Sequence, residues 1–588
     1  MIANTLQEPR ATLGHTCTAA RGGMARPRQL RRERTLDGVE VERWAKHNSQ
    51  CRLAPEHFKD GSLLPTLADE HCKLFGQLFH EKRAVFPPRE LLLGSACTGS
   101  ASEVAAAHYF QRAVNAVSDS GFRLTPVFSC EIKKEKRRWI AGVHEAFQDA
   151  CAPSANASAS GQGLASGHSV TSGQASSGAS CCCIFHDIKD LGAARAPCST
   201  HGQPCPVPVC NIFVCCTSCK DFSRMAPPAE APTGRGPLLL QASSRGSSAQ
   251  TFHGMLAYIT WARPAIVIFE NVEAINDTDV DVDLTNLDVV LSEMSSRGYE
   301  CQHMTGNALA YGCPQKRVRL YIVAVMVVAN AQFDFITRPV RSTLKTLRAL
   351  LKVCGRLPPC ASQVLYAATD KRVVAYLKER QDLQAARNPS PYAMGNAITQ
   401  AALSGVSWSA VQQAPEWLLA SPWCQTLTCQ QKQVAAYSLC TDPAPVLFRD
   451  VGQTCFRTRL STVDSEGRHR SFTVTPGQVV LVFQAHEEPR LLLGEEAMVL
   501  QGFPIAKVSD LVNTTTNHLM ADIAGNMVAL PVLLALLMSA VACVSWREDQ
   551  NAPGAPEPKD LEDALAAFHA LDTGGSTGEV PAQKRVKL

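Results

Sequence analysis

Apolar residues in this chain gather into short runs that each break off on a small, acidic or thiol side chain. Leu91-Leu92-Leu93 runs into Gly94-Ser95, Pro126-Val127-Phe128 into Cys130-Glu131, and Cys183-Ile184-Phe185 into His186-Asp187. Ile212-Phe213-Val214 leads into Cys216–Cys219, Ala265–Phe269 leads into Glu270-Asn271, and Leu320–Val325 forms a further run. Continuous rather than alternating apolarity marks strands covered on both faces. Helix-like stretches such as "SEVAAAHYFQRAV" separate several of them. The alternation predicts an α/β fold built on a doubly wound, mostly parallel sheet. Ligands of such sheets lie outside the carboxyl ends of the strands. Glu131, Asp187, Cys219 and Glu270 all fall there. A strand end can be polar simply because it meets water. Four acidic or thiol groups at successive strand ends suggest chemistry as well.

Composition changes this picture in a few places. The chain has 588 residues, 45% hydrophobic and 19% charged, so a sizeable core is expected. A net charge of +4 decides little about an anionic partner. Residues 1–60 are Arg-rich and irregular, and 1–85 reads as a basic, partly disordered arm. Residues 152–180 are almost all Ala, Ser and Gly and read as a disordered insert; 226–250 reads as a loop. The tail, 547–588, ends in "PAQKRVKL", where Lys584, Arg585 and Lys587 resemble a nuclear import signal. A nuclear location is the expectation.

The 24 cysteines come without a recognisable signal peptide, and many lie in apolar runs as small hydrophobes. Cys216 and Cys219 have the spacing of half a zinc ribbon, with Cys198, His201, Cys205 and Cys210 upstream. No second such pair follows, so no metal site is expected. Met527 to Val544 carries no charge and approaches membrane-spanning length, but Pro531 lies inside it. It reads as a buried helix, with no membrane partner expected.

The loop after the first run, "GSACTGSASE" (94–103), is made of small residues and leads into a helix. Small residues let a ligand approach the backbone, and helix amides favour electron-rich groups. Glu131, closing the next strand, is placed to accept hydrogen bonds from ribose hydroxyls, and Asp187 from an exocyclic amine. Together they suggest a nucleoside cofactor. Cys219 is then the candidate nucleophile, beside Lys220 and Arg224. Glu270 is a carboxylic acid that a dry pocket could hold protonated. A thiolate and a proton donor acting on a base suggest addition to carbon 6 of a pyrimidine, protonation at nitrogen 3 and a nucleophilic carbon 5.

These segments resemble, in order, the motifs of the cytosine-5 DNA methyltransferase family. "CCTSCKDFSR" is similar to the family's Gly-Pro-Pro-Cys-Gln-x-Phe-Ser loop, and "VIFENVEAI" carries Glu-Asn-Val. "YGCPQKRVRLYIVAV" carries Gln-x-Arg-x-Arg, and "RLLLGEEAMVLQGFP" and "ADIAGNMVALPVLLAL" resemble the last two motifs. The resemblance implies a class I, Rossmann-like methyltransferase fold with a smaller target-recognition domain. It implies Cys219, Glu270, Arg317 and Arg319 as catalytic residues, with Ser223, Asn271 and Gln315 at the substrate. Ala96, Cys97, Thr98, Gly99, Glu131, Asp187, Ile188, Asn526 and Val528 would line S-adenosylmethionine.

The implied organisation is a catalytic domain over 86–334 and 488–546, interrupted by a target-recognition region over 335–487, acting as a monomer on DNA. An RNA cytosine-5 methyltransferase and a catalytically silent nucleic-acid-binding homologue stay open. The chain departs from the family pattern at Thr217 and Ser218, which replace two prolines and their fixed φ angles. It departs again at Gly94, Ala96 and Thr98.

Overall fold

The computed structural model describes residues 53–78, 90–117, 121–147, 182–222, 247–277, 284–327, 354–386, 420–441, 473–484 and 487–546, with shorter pieces between them. The insert at 152–180, the tail at 547–588 with its basic end, and Ser223 lie outside the described residues.

The first nine described strands in chain order are β1 (Glu90–Ala96), β2 (Arg123–Cys130), β3 (Cys183–Phe185), β4 (Arg195–Pro197), β5 (Pro204–Pro206), β6 (Ile212–Cys215), β7 (Ile266–Asn271), β8 (Tyr299–Asn307) and β9 (Val318–Met326). Seven of them form one sheet in the order β3-β2-β1-β6-β7-β9-β8. Neighbours from β3 through β7 are parallel, while β9 runs antiparallel to both β7 and β8. The expected α/β class and mostly parallel sheet are therefore present, closed at one edge by an antiparallel pair. β4 and β5 form a separate antiparallel hairpin between β3 and β6.

This order fixes where a ligand can go. From β1 the chain steps outward to β2 and β3, then returns to β6 on the other side of β1 and steps toward β7. Right-handed crossovers in opposite directions put the connecting helices on opposite faces. The loops after β1 and β6 therefore diverge and leave a crevice at the topological switch point. The expected cofactor loop follows β1, and Cys219 follows β6.

Continuous apolarity matches burial: every residue of β6 and β7 is buried. β1 slips register against β2 between Leu93 and Gly94. A Cβ at Gly94 would overlap the Phe128 ring, which crosses the strand there. The departure at Gly94 thus has a packing cause.

The long apolar segment forms a helix, Leu530–Cys543, buried from Leu530 through Val541. It packs on the helices Ser102–Val117 and Leu63–Leu78. The helical stretch Asn517–Cys543 is long and apolar enough to cross a membrane, but 89% of its apolar window is buried inside the protein. The backbone also breaks after Asn526, before the second helix starts with Pro531 in its first turn.

Two boundaries differ from expectation. The arm expected over 1–85 is folded from residue 53, because Phe58, Leu64, Leu67 and Phe75 are apolar enough to join the main core. Residues 247–250, expected in a loop, open the helix Ser247–Ala262. A second, smaller core lies within 373–493, around Trp423, Leu427, Val434, Leu481 and Leu491. Phe335–Ile336 pairs with Ser545–Trp546, so the chain leaving the sheet is stitched to its own return.

Candidate active site

Cys219 lies in the turn after β6, where its carbonyl accepts from the Phe222 N–H at 3.2 Å. Its neighbours are fixed by side-chain hydrogen bonds where prolines were expected. Asn271 Nδ2 donates to Thr217 Oγ1 at 3.1 Å, and Ser218 N–H donates to Thr251 Oγ1 at 3.0 Å. Ser218 Oγ pairs with Ser247 Oγ at 2.8 Å, and Asp221 exchanges hydrogen bonds with Ser248. The loop is tied to the first turn of Ser247–Ala262 and to the end of β7. The rigidity lost with the prolines is supplied by these partners.

Glu270, next to last in β7, is nearly buried, and Arg319 Nε stands 3.2 Å from its Oε1. Burial raises the Glu270 carboxyl above the ordinary value, against the opposing pull of Arg319 and Arg317. Burial also raises the Cys219 thiol; the Glu270 charge adds to this, while Arg319 and Arg317 counter it. Thiol, carboxyl and guanidinium thus lie within mutual electrostatic reach at the crevice.

The two arginines do different work. Arg317 is buried, with Nη1 donating to Val474 O at 2.9 Å and Nη2 to Gly525 O at 3.2 Å and Met527 O at 2.8 Å. Burial and the nearby Arg319 cation lower it to about 10. Expected as catalytic, Arg317 has both Nη atoms spent on backbone carbonyls that join the β9 entry to the C-terminal return. Arg317→Ala is expected to cost about 3 kcal/mol, leaving three buried carbonyls without a charged donor. A thermal melt reads this as a fall in Tm; an unchanged Tm would show that the junction stands without it.

Two expected substrate residues also prove internal. Gln315 is fully buried; it donates to Leu500 O at 3.0 Å and Gln501 Oε1 at 2.6 Å and accepts from Val474 N–H. Asn271 is fully buried, holding Thr217 and accepting from Val272 N–H. Neither side chain has an exposed face; both are spent on ties between the loops around the crevice.

On the cofactor side, Cys97, Gly99 and Ala101 all have positive φ, 60°, 71° and 56°. Left-handed backbone at Cys97 and Ala101 costs on the order of 1 kcal/mol each, and such strain gathers at ligand clamps. The Cys97 thiol is raised by burial and then by the charges of Glu131 and Asp187, which places all three together. Glu131 Oε1 accepts from Lys133 N–H at 2.9 Å; Asp187 caps the turn Ile188–Gly192 and pairs with Lys189 Nζ at 3.2 Å.

Thr98 is buried beside Glu103, whose carboxyl it helps to lower against the burial that raises it. The side chains of Ala96, Ile188 and Val528 are sealed in the core, so any ligand contact they make is through backbone. Asn526 Nδ2 donates to Asp522 O at 2.6 Å. Its Cβ lies 3.6 Å from where a side chain on Gly99 would begin.

Three residues escaped sequence reasoning. Lys136 is buried and pairs with Asp522 at 3.1 Å, and its Nζ lies 3.5 Å from the same point above Gly99. Glu103 is buried, raised by burial, and accepts from Ser95 Oγ at 2.6 Å, while its Oε2 has no partner. For Lys136 and Glu103 the only sequence signal is a charge inside a helix that follows a strand; Asp522 lies in a helix that follows another helix and gives no such signal.

The chain matches the description C-5 cytosine-specific DNA methylase over residues 200–541. It is 22% identical over 485 residues to the DNA (cytosine-5-)-methyltransferase DMT5 of Cryptococcus neoformans var. grubii serotype A. That alignment covers 79% of this chain but 18% of the relative, so the chain spans less than a fifth of that protein's length. Among solved structures it is similar to the Schizosaccharomyces pombe Dnmt2 methyltransferase, at 12% identity and a TM-score of 0.34, covering 76% of this chain and 98% of that one. The Entamoeba histolytica methyltransferase EhMeth is similar at 11% identity and a TM-score of 0.32, covering 77% and 98%. The family match takes in the thiol after β6, the acid of β7, the arginines at the entry to β9 and the return helices, and the chain belongs to the C-5 cytosine-specific DNA methylase family.

Proposed function

We propose that this chain transfers a methyl group to carbon 5 of cytosine in DNA through a covalent adduct at Cys219. The observation that carries the reading is the convergence of Cys219, Glu270 and Arg319 at the switch-point crevice, beside the strained loop 97–101. The family takes its methyl from S-adenosylmethionine, and the donor set here suits that molecule. Two carboxylates, Glu131 and Asp187, flank the loop for hydroxyl and amine donors, and left-handed backbone opens the space above Gly99. When bound, S-adenosylmethionine supplies an electrophilic methyl on a sulfonium.

This chain's own residues do the rest. A base that has left the helix stack meets Cys219 from one side and Glu270 at its edge. The Cys219 thiolate forms a bond to carbon 6 while Glu270 gives its proton to nitrogen 3, so that electron density moves to carbon 5. After carbon 5 is methylated, a base takes the carbon-5 proton, the C6–S bond breaks to release the thiolate and re-form the ring double bond, and nitrogen 3 returns its proton to Glu270. Arg319 holds Glu270 in place and tempers both pKa rises. Asn271, Gln315 and Arg317 keep the loops in register.

The second core within 373–493 is the proposed target-recognition unit. Methyl-transfer assays on duplex DNA and on RNA test the substrate; incorporation into RNA alone would overturn the DNA assignment.

The electrostatics give a signed pH prediction. The productive form has a protonated Glu270 and an ionised Cys219, so kcat/KM is bell-shaped in pH. Glu270 sets the acid limb and Cys219 the alkaline one. Arg319 lowers both groups, so Arg319→Gln is expected to move both limbs to higher pH. A profile that stays in place, or moves to lower pH, would show that Arg319 does not act on the pair.

A further inference from the structure

Three thiols and an imidazole outside the crevice converge on a single point. We propose that Cys183, Cys198, His201 and Cys205 form a structural zinc site that pins the β4–β5 hairpin beneath the Asp187 turn. Their four ligand atoms all lie within 4.8 Å of one another. His201 Nδ1 is 3.7 Å from Cys183 Sγ, 3.5 Å from Cys198 Sγ and 3.2 Å from Cys205 Sγ. Tetrahedral zinc with Zn–S near 2.3 Å and Zn–N near 2.0 Å requires S···N separations of about 3.6 Å. The cluster therefore stands close to the dimensions of a single ion. None of the four is in a disulfide.

The backbone builds the cluster. Cys183 opens β3 in the main sheet, and Cys198 bridges to Phe185 of the same strand. Ser199 N–H donates to Ile184 O at 2.8 Å, and Thr200 Oγ1 to Cys182 O at 2.9 Å. Gly202, at φ 66°, turns the chain back so that Cys205 on β5 faces the same point. His201 is exposed and Cys183 half-buried, which leaves a path for an ion to enter.

The sequence pattern is Cys-x14-Cys-x2-His-x3-Cys. Expecting no metal here rested on the missing second Cys-x2-Cys pair; a strand and a hairpin gather the ligands instead. Cys210, which follows them in the sequence, is buried elsewhere against Tyr258 Oη at 3.2 Å.

A hairpin of two three-residue strands is marginal by itself. A Cys3His site would close it, since binding energy of such an ion is folding energy. Three soft sulfurs and one imidazole select zinc over hard cations. Binding forms three Zn–S bonds and one Zn–N bond, and the three thiol protons pass to solvent. The hairpin reaches the cofactor side through Arg137, which donates to Ser199 Oγ at 2.8 Å and to Glu131 O at 3.0 Å.

The test is metal analysis of the full chain, purified without chelator, by inductively coupled plasma mass spectrometry. About one zinc per chain is expected. Cys198→Ser with Cys205→Ser should reduce it more than tenfold, while Cys301→Ser keeps it. Should the double variant not fold, X-ray absorption at the zinc edge of the unaltered chain decides, with three sulfurs and one nitrogen expected. A chain that neither carries nor takes up zinc, a zinc shell without three sulfurs, or a Cys198–Cys205 disulfide would each overturn the site.

Discussion

Replacing Cys219 with alanine is expected to lower methyl transfer at least about a thousandfold, while the protein stays folded and still binds S-adenosylmethionine. The size follows from chemistry. Without the sulfur no bond forms at carbon 6, and carbon 5 of cytosine is too poor a nucleophile to take the methyl. The selectivity follows from structure. The loop is held by Thr217, Ser218 and Asp221 through Asn271, Thr251, Ser247 and Ser248, and none of these bonds uses the Cys219 side chain. Methyl incorporation, equilibrium cofactor binding and a thermal melt of the same sample check all three parts. A variant that keeps a tenth of the activity would remove Cys219 from the reaction.

Glu270→Gln is expected to cost about a hundredfold to ten-thousandfold in kcat, the usual range for loss of a positioned proton donor. Glutamine fills the same space beside Arg319 and can still hydrogen-bond a base, so KM should change far less. The same variant has an opposite effect on the thiol. The Glu270 charge raises the Cys219 thiol, so removing it lowers that value and increases the thiolate fraction at neutral pH. Alkylation of Cys219 by iodoacetamide should therefore become faster as methyl transfer collapses. If both rates fell together, Glu270 would be acting by holding the loop rather than by moving a proton.

Much of the architecture was legible because the buried strands are apolar without interruption. β6 and β7 are buried at every position, and their runs stood out in the chain. β8 did not, because it is an edge strand whose residues from Glu300 to Thr305 are only partly covered and largely polar. The β4–β5 hairpin was hidden by its prolines and by strands too short to show a period. At the site, a strand end gives the location of Cys219, Glu270, Glu131 and Asp187 directly. A motif, by contrast, gives the residue and not its direction. Gln315, Asn271 and Arg317 sit in matching motifs, yet their side chains turn inward to carbonyls and loop hydroxyls. Lys136 was missed for the converse reason: a basic residue in a charged helix shows nothing until folding brings Asp522 beside it from far along the chain.

The proposed covalent bond between the Cys219 sulfur and carbon 6 of the ring can be read directly from a trapped complex. With S-adenosylmethionine present, the full chain is incubated with duplex DNA containing 5-fluorocytosine, whose carbon-5 fluorine blocks the final elimination. The expected result is a denaturation-resistant complex in which mass spectrometry finds the nucleotide on the peptide carrying Cys219. Binding of S-adenosylmethionine without any such adduct, on DNA or on the matching RNA, would show that Cys219 does not attack the base.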